Sequence, residues 1–322
     1  MNTQTAQPPV GITPTMFGMS YGLAGLAVCW GYAAVLRLAP AWVSDALFVI
    51  TAAVWLVLVA GYLWQVSRRP GGWRRELTDP VLAPFVSLVP IVGMLLGIGL
   101  MPHAPAAGRW LFGVFAVVTV VLAGWMTGQW ITGDLDLDKL HPGYVLPAVA
   151  GGLIASIGAA HAGWTGLAHA FMGVGVVSWL LIGSVILARL LVRPPLPRPL
   201  TPTLAIEVAP PALAGLAYLA ITHGKVDIIA LALGGFTALA AIVQLRLIPV
   251  YRHLAFTPAS WSFAFPYAAA ATFALHWLNY GKPFGYKTWA WIILLAITAF
   301  IAALTAQTTA ALRRRRFLPP LQ

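Results

Sequence analysis

Long apolar runs broken by short polar turns organise the whole chain. A hydrocarbon core about 30 Å thick needs about 20 helical residues to cross it. Ten runs meet that length, at roughly 14–38, 44–67, 80–101, 107–133, 142–160, 165–192, 202–221, 226–250, 258–279 and 286–311. The breaks carry turn chemistry: Arg68-Arg69-Pro70-Gly71-Gly72, the acidic stretch from Asp134 to Asp138, and the proline-rich stretch from Arg193 to Pro199. This pattern predicts an all-α integral membrane protein of ten transmembrane helices paired as five hairpins. One transmembrane domain is expected over 1–322, with a short polar tail at 1–13 and a basic tail at 312–322.

The two members of each hairpin differ. Odd-numbered runs carry a proline in or near the middle, Pro90, Pro147, Pro210 with Pro211, and Pro266, whereas the even ones have only Pro249, at an end. Proline removes a donor and clashes with the carbonyl four residues earlier, so each is expected to kink its helix and free a carbonyl such as that of Gly143 or Ser262. Lipid offers those groups no partner. The odd helices are therefore expected to form an inner ring and the even ones an outer ring. Small residues on the odd runs, among them Gly93, Gly97, Gly151, Gly152 and Gly215, either let helices pack closely or leave free volume at the axis.

Composition agrees, since 60% hydrophobic and 8% charged residues exclude a soluble two-domain protein. A formal charge of +11 could suggest nucleic acid, but the basic residues cluster between apolar runs, as in cytoplasmic loops. With both termini cytoplasmic, 14 of the 19 Lys and Arg residues fall inside, which predicts a multi-pass inner-membrane protein with no nucleic-acid partner. Arg313 to Arg316 read as a topology anchor that can also touch anionic membrane lipid. The first ten residues hold no Lys or Arg, so no cleavable signal peptide is expected.

Catalytic chemistry is sparse. The single cysteine, Cys29, excludes an intrachain disulfide, and the seven histidines fall in loops or toward helix ends. No metal-ligand spacing, nucleophile elbow or phosphate-binding glycine loop is present, so no cofactor and no enzyme are expected. Glu207, just before Pro210, is the acidic residue that enters a span. It reads as a proton-coupling carboxylate or as a residue near the cytoplasmic interface that still reaches water, and its position favours the second. A charge-poor interior with a basic cytoplasmic rim suits passive conduction of anions selected by pore size and dehydration cost.

Several stretches carry a resemblance. Trp261-Ser262-Phe263-Ala264-Phe265-Pro266, the run from Phe17 to Leu23, Val43-Ser44-Asp45, the run from His141 to Val149, Ala209-Pro210, His223-Gly224-Lys225-Val226-Asp227 and Leu245-Arg246-Leu247 occur in order along nearly the whole chain. Together they resemble the TehA-like tellurite-resistance and slow-type anion channel family, within a wider group that includes C4-dicarboxylate and malate transporters. The resemblance implies a quasi-fivefold ten-helix bundle, one pore per subunit and a homotrimer. It also implies that Phe265 stoppers the pore, with Gly18 lining the same level. Judged from the sequence alone, Phe265 is one of 14 phenylalanines and reads as packing or lipid contact. Pore-lining or kink roles fall on Gly18, Ser20, Gly22, Pro90, Pro147, Pro210 and Pro266. Two departures stand out: Ser20 where the family pattern has proline, open to back-bonding, and Glu207 where it has an apolar residue, a candidate for coupling or selectivity. The leading expectation is a gated channel for chloride- or nitrate-like anions, with a secondary transporter of C4-dicarboxylates or tellurite-type oxyanions as the alternative.

Overall fold

The computed structural model describes residues 11–133, 135–314, 317 and 318. Asp134, Arg315, Arg316 and the outermost parts of both tails, 1–10 and 319–322, lie outside the described residues. Those described are helical and form no strand.

Among the described residues nine helices are long and apolar enough to cross a membrane: α1 (Pro14–Val35), α2 (Ala41–Ser67), α3 (Ala83–Leu100), α4 (Pro105–Thr132), α5 (Pro142–His161), α6 (Thr165–Val192), α7 (Thr201–Ile221), α8 (Ile228–Tyr251) and α10 (Tyr286–Arg313). Ten were expected. The remaining segment, a tight turn over Pro258–Phe263 running into α9 (Ala264–Gly281), is helical but less apolar. Ser260, Ser262, Tyr267, His276 and Asn279 lower its hydropathy.

Burial separates two kinds of helix. Of the most apolar stretch of each, 56% is buried in α1, 72% in α3, 89% in α5 and 72% in α7. The corresponding shares are 17% in α2, 22% in α4, 11% in α6, 17% in α8 and 28% in α10. The poorly buried helices display rows of large apolar side chains, such as Val49 and Val57 on α2 or Leu180 and Leu187 on α6, as a lipid-facing surface requires.

Packing follows the same division. Each well-buried helix contacts the next one in sequence, pairing α1 with α2, α3 with α4, α5 with α6, α7 with α8 and α9 with α10. The buried members also contact one another in a closed cycle: α1 with α3, α3 with α5, α5 with α7, α7 with α9, and α9 back to α1. Several glycines permit close approach between the layers. A Cβ on Gly97 would stand 2.6 Å from the Phe112 backbone nitrogen, and one on Gly152 only 2.8 Å from that of Gly175.

The prolines act differently from the expected mid-helix kink. Pro210 and Pro266 lie within the first three residues of regular α-helix, just after the 3₁₀ turns Thr201–Val208 and Pro258–Phe263. Pro90 is the third residue after the break at Ser87, and Pro147 opens a π turn over Leu146–Ala150 that follows the 3₁₀ turn Pro142–Val145. In a first turn proline forfeits no hydrogen bond that a helix would have made. The tighter turns take up the carbonyls that proline strands: Leu146 N–H donates to Gly143, and Ala209 N–H to Ile206. The first helix follows suit, beginning as a 3₁₀ turn over Pro14–Met16, with no proline in the α-helix after it. Ser20 there donates its hydroxyl to the Phe17 carbonyl at 3.0 Å.

Candidate functional site

The irregular starts of the five buried helices gather at one end of the cycle and line a narrow cavity of about 20 Å³. From α1 it is lined by Thr15, Gly18 and Tyr21, from α3 by Phe85 and Leu88, and from α5 by residues including Val145, Val149 and Ala150. The α7 segment adds Ile206, Ala209, Pro210 and Leu213, and the α9 segment Trp261, Ser262, Phe265 and Pro266. Every lining residue is uncharged. Such a wall repels no anion by charge, and its apolar character raises the cost of dehydrating any ion that enters.

Phe265 is the part of this wall that packs against α1. Its ring lies parallel to that of Tyr21, with centroids 3.6 Å apart and planes 9° from parallel. Behind it is Gly25, where an added Cβ would come within 2.9 Å of Phe265 Cδ2 and 3.0 Å of Ala268 Cβ. The ring is thus held between Tyr21 and the bare backbone of Gly25, and it is 3% exposed.

The segment carrying the ring is well anchored. Thr257 and Ser260 form a reciprocal cap at its start. Trp261 donates its indole N–H to Thr308 of α10 at 2.9 Å. Gln244 of α8 receives the hydroxyls of Tyr267 at 3.1 Å and Tyr251 at 2.8 Å, and donates to the Leu204 carbonyl at 3.0 Å. One amide therefore ties α9 to both α8 and the start of α7.

His141 secures the opposite wall. Its Nδ1 accepts from Gly143 N–H at 3.1 Å, so the proton resides on Nε2, which donates to the Val81 carbonyl at 3.1 Å. The ring stacks on the cavity residue Phe85 with centroids 5.6 Å apart. Burial pushes its pKa down to about 4, and the nearby Arg189 guanidinium acts in the same direction.

Residues 11–309 match the family model described as the voltage-dependent anion channel. The chain belongs to the voltage-dependent anion channel family. The tellurite resistance protein TehA homolog of Haemophilus influenzae is 29% identical over 275 residues, covering 85% of this chain and 84% of that protein. The S-type anion channel SLAH3 of Arabidopsis thaliana is 24% identical over 277 residues, covering 79% of this chain and 41% of that one. Family membership and the apolar spans make this a multi-pass membrane protein.

Within this member of the voltage-dependent anion channel family, four of the residues singled out in the sequence meet at the cavity: Gly18, Pro210, Phe265 and Pro266. Ser20, Gly22, Pro90 and Pro147 are buried but lie outside its lining. An added Cβ on Gly18 would stand 3.1 Å from Trp261 Cβ rather than meet Phe265, and Gly22 is pressed against Ala264. The residues that touch the Phe265 ring are Tyr21 and Gly25. Sequence reasoning passed over both, although helical spacing offered a signal: with Gly18, they complete one face at three- to four-residue intervals. Glu207 is outside the lining, and its Oε1 is buried without a hydrogen-bond partner among the described residues.

Proposed function

We propose that this protein is a gated channel for small inorganic anions of the chloride or nitrate kind, in a bacterial inner membrane with both termini cytoplasmic. In this reading the segment from Pro258 to Gly281 is a tenth span, and the five buried helices are the inner ring of a quasi-fivefold bundle. The pore is the axis of that ring within each subunit of a homotrimer. The ring of Phe265 is its gate. The observation that carries the reading is Phe265 itself, packed against Tyr21 and Gly25 in the wall of a cavity to which all five buried helices contribute. An apolar ring across a narrow apolar tube blocks an ion sterically and keeps water out. The excess of Lys and Arg on the cytoplasmic side draws anions to the mouth. The family match and the names of the two relatives support an anionic substrate.

A second reading, coupled transport of C4-dicarboxylates or tellurite-type oxyanions, is favoured by one feature. The buried, unpartnered Oε1 of Glu207 is the kind of group that binds and releases a proton inside a membrane protein. Anion flux into proteoliposomes, measured with and without a proton gradient, separates the two. A channel is expected to pass chloride and nitrate down their gradients, with Glu207→Gln leaving the flux within about twofold. Loss of all flux in folded Glu207→Gln protein, together with proton-driven accumulation by the wild type, would establish the transporter instead.

A further inference from the structure

Tyr21 lines the cavity beside Phe265, yet nothing in the gating scheme uses its hydroxyl. The side chain is 4% exposed, and the hydroxyl oxygen is buried without a hydrogen-bond partner among the described residues. Buried hydroxyls rarely stay alone. Others on the same ring of helices obey that rule: Ser20 donates to Phe17, Ser156 to Ala168 and Thr272 to Ala268. The cavity thus offers, besides the half-buried Ser262 hydroxyl, a fully buried and uncommitted donor in a wall without a carboxylate. A phenol has an ordinary pKa of about 10 and keeps its proton at neutral pH. Its role toward a ligand is then donation, and the complementary ligand is an acceptor.

We propose that the Tyr21 hydroxyl is an anion-binding donor in the conduction path, taking a small monovalent anion, a halide above all, in the space left when the Phe265 ring swings away. This inference rests on the channel reading above. With the two rings parallel, Phe265 covers one face of Tyr21. Its departure opens space beside the Tyr21 hydroxyl; the ring face it uncovers carries the negative part of the aromatic quadrupole, so the anion is held through the O–H alone. A single O–H donor to an anion is a charge-assisted bond, strong enough to replace one water of hydration. With no fixed positive charge beside it, the site also releases the ion. A donor of this kind favours chloride, which holds its water tightly, over nitrate, which holds it loosely.

Tyr21→Phe on the Phe265→Ala background is the direct test, because it keeps the stacking surface of Tyr21 and removes only the oxygen. In planar bilayers the double variant is expected to conduct. Its chloride concentration for half-maximal current is expected to rise about tenfold over that of Phe265→Ala, and its nitrate-to-chloride permeability ratio is also expected to increase. Intact current with both quantities unchanged would overturn the donor site and leave the channel reading standing. Absence of current in folded Phe265→Ala protein would remove the channel reading and the donor site with it. Should only the double variant be silent, anomalous diffraction from bromide in Phe265→Ala crystals decides: a peak within hydrogen-bond distance of the Tyr21 hydroxyl upholds the site, and its absence refutes it.

Discussion

The sandwich of Tyr21, Phe265 and Gly25 makes a demand on a single methyl group. Gly25→Ala would place Cβ inside contact distance of both Phe265 Cδ2 and Ala268 Cβ, so the ring must move or α1 must part from α9. Overpacking of this kind costs about 1–3 kcal/mol. Thermal unfolding in detergent is expected to show a lowered midpoint for Gly25→Ala, with a smaller loss when Phe265→Ala is also present, since one of the two obstructing groups is gone. Equal losses in the two backgrounds would show that the ring does not sit against Gly25. The proximity of Gly25 to Phe265 was hard to read from sequence. The resemblance put Gly18 at the level of the stopper, but the register between α1 and α9 places Gly18 against Trp261, four residues earlier. Register between helices is set by three-dimensional fit, which the composition of either helix leaves open.

At the scale of elements, the five buried helices share one construction: an irregular, mostly 3₁₀ start, then α-helix, with proline in the first α-helical turn in three of the five and in the π turn before it in α5. The prolines were legible and correctly singled out these helices. Their mechanical effect was not, because a proline spaced from both ends of an apolar run looks the same whether it bends a helix or begins its regular part. His141 shows how such a start is held, with one nitrogen on Gly143 N–H and the other on the Val81 carbonyl. The bond accepted from Gly143 needs the neutral ring, whereas the one donated to Val81 survives protonation. Burial lowers the pKa from its ordinary 6.5 to about 4, so below pH 6.5 the unfolded chain binds a proton that the folded one refuses. Stability from this residue is complete above pH 6.5 and is lost as the pH falls toward 4, by on the order of 3 kcal/mol in all. Thermal unfolding followed from pH 7.5 to pH 4.5 is expected to show that decline, and His141→Asn is expected to flatten it. An unchanged slope in the variant would assign the decline to other groups.

On the scale of the molecule, the division into lipid-facing and buried helices was written in the sequence. Proline concentrates on the odd-numbered runs, and those runs are the buried ones, as the contrast between 89% burial in α5 and 11% in α6 makes plain. The run from 258 to 279 was harder to place, because a helix enclosed by neighbours can carry polar side chains that a lipid-facing one cannot. Its polar residues are employed in the packing: the Tyr267 hydroxyl meets Gln244, and His276 stacks on Tyr32 with centroids 3.5 Å apart. The account as a whole depends on whether one aromatic ring keeps an otherwise continuous path closed. Single-channel recording of purified wild-type and Phe265→Ala protein in planar bilayers, under a chloride gradient, measures this directly. Open currents reversing near the chloride equilibrium potential in Phe265→Ala, at least about tenfold above the wild type, are the expected result; equal currents from two folded proteins would contradict it.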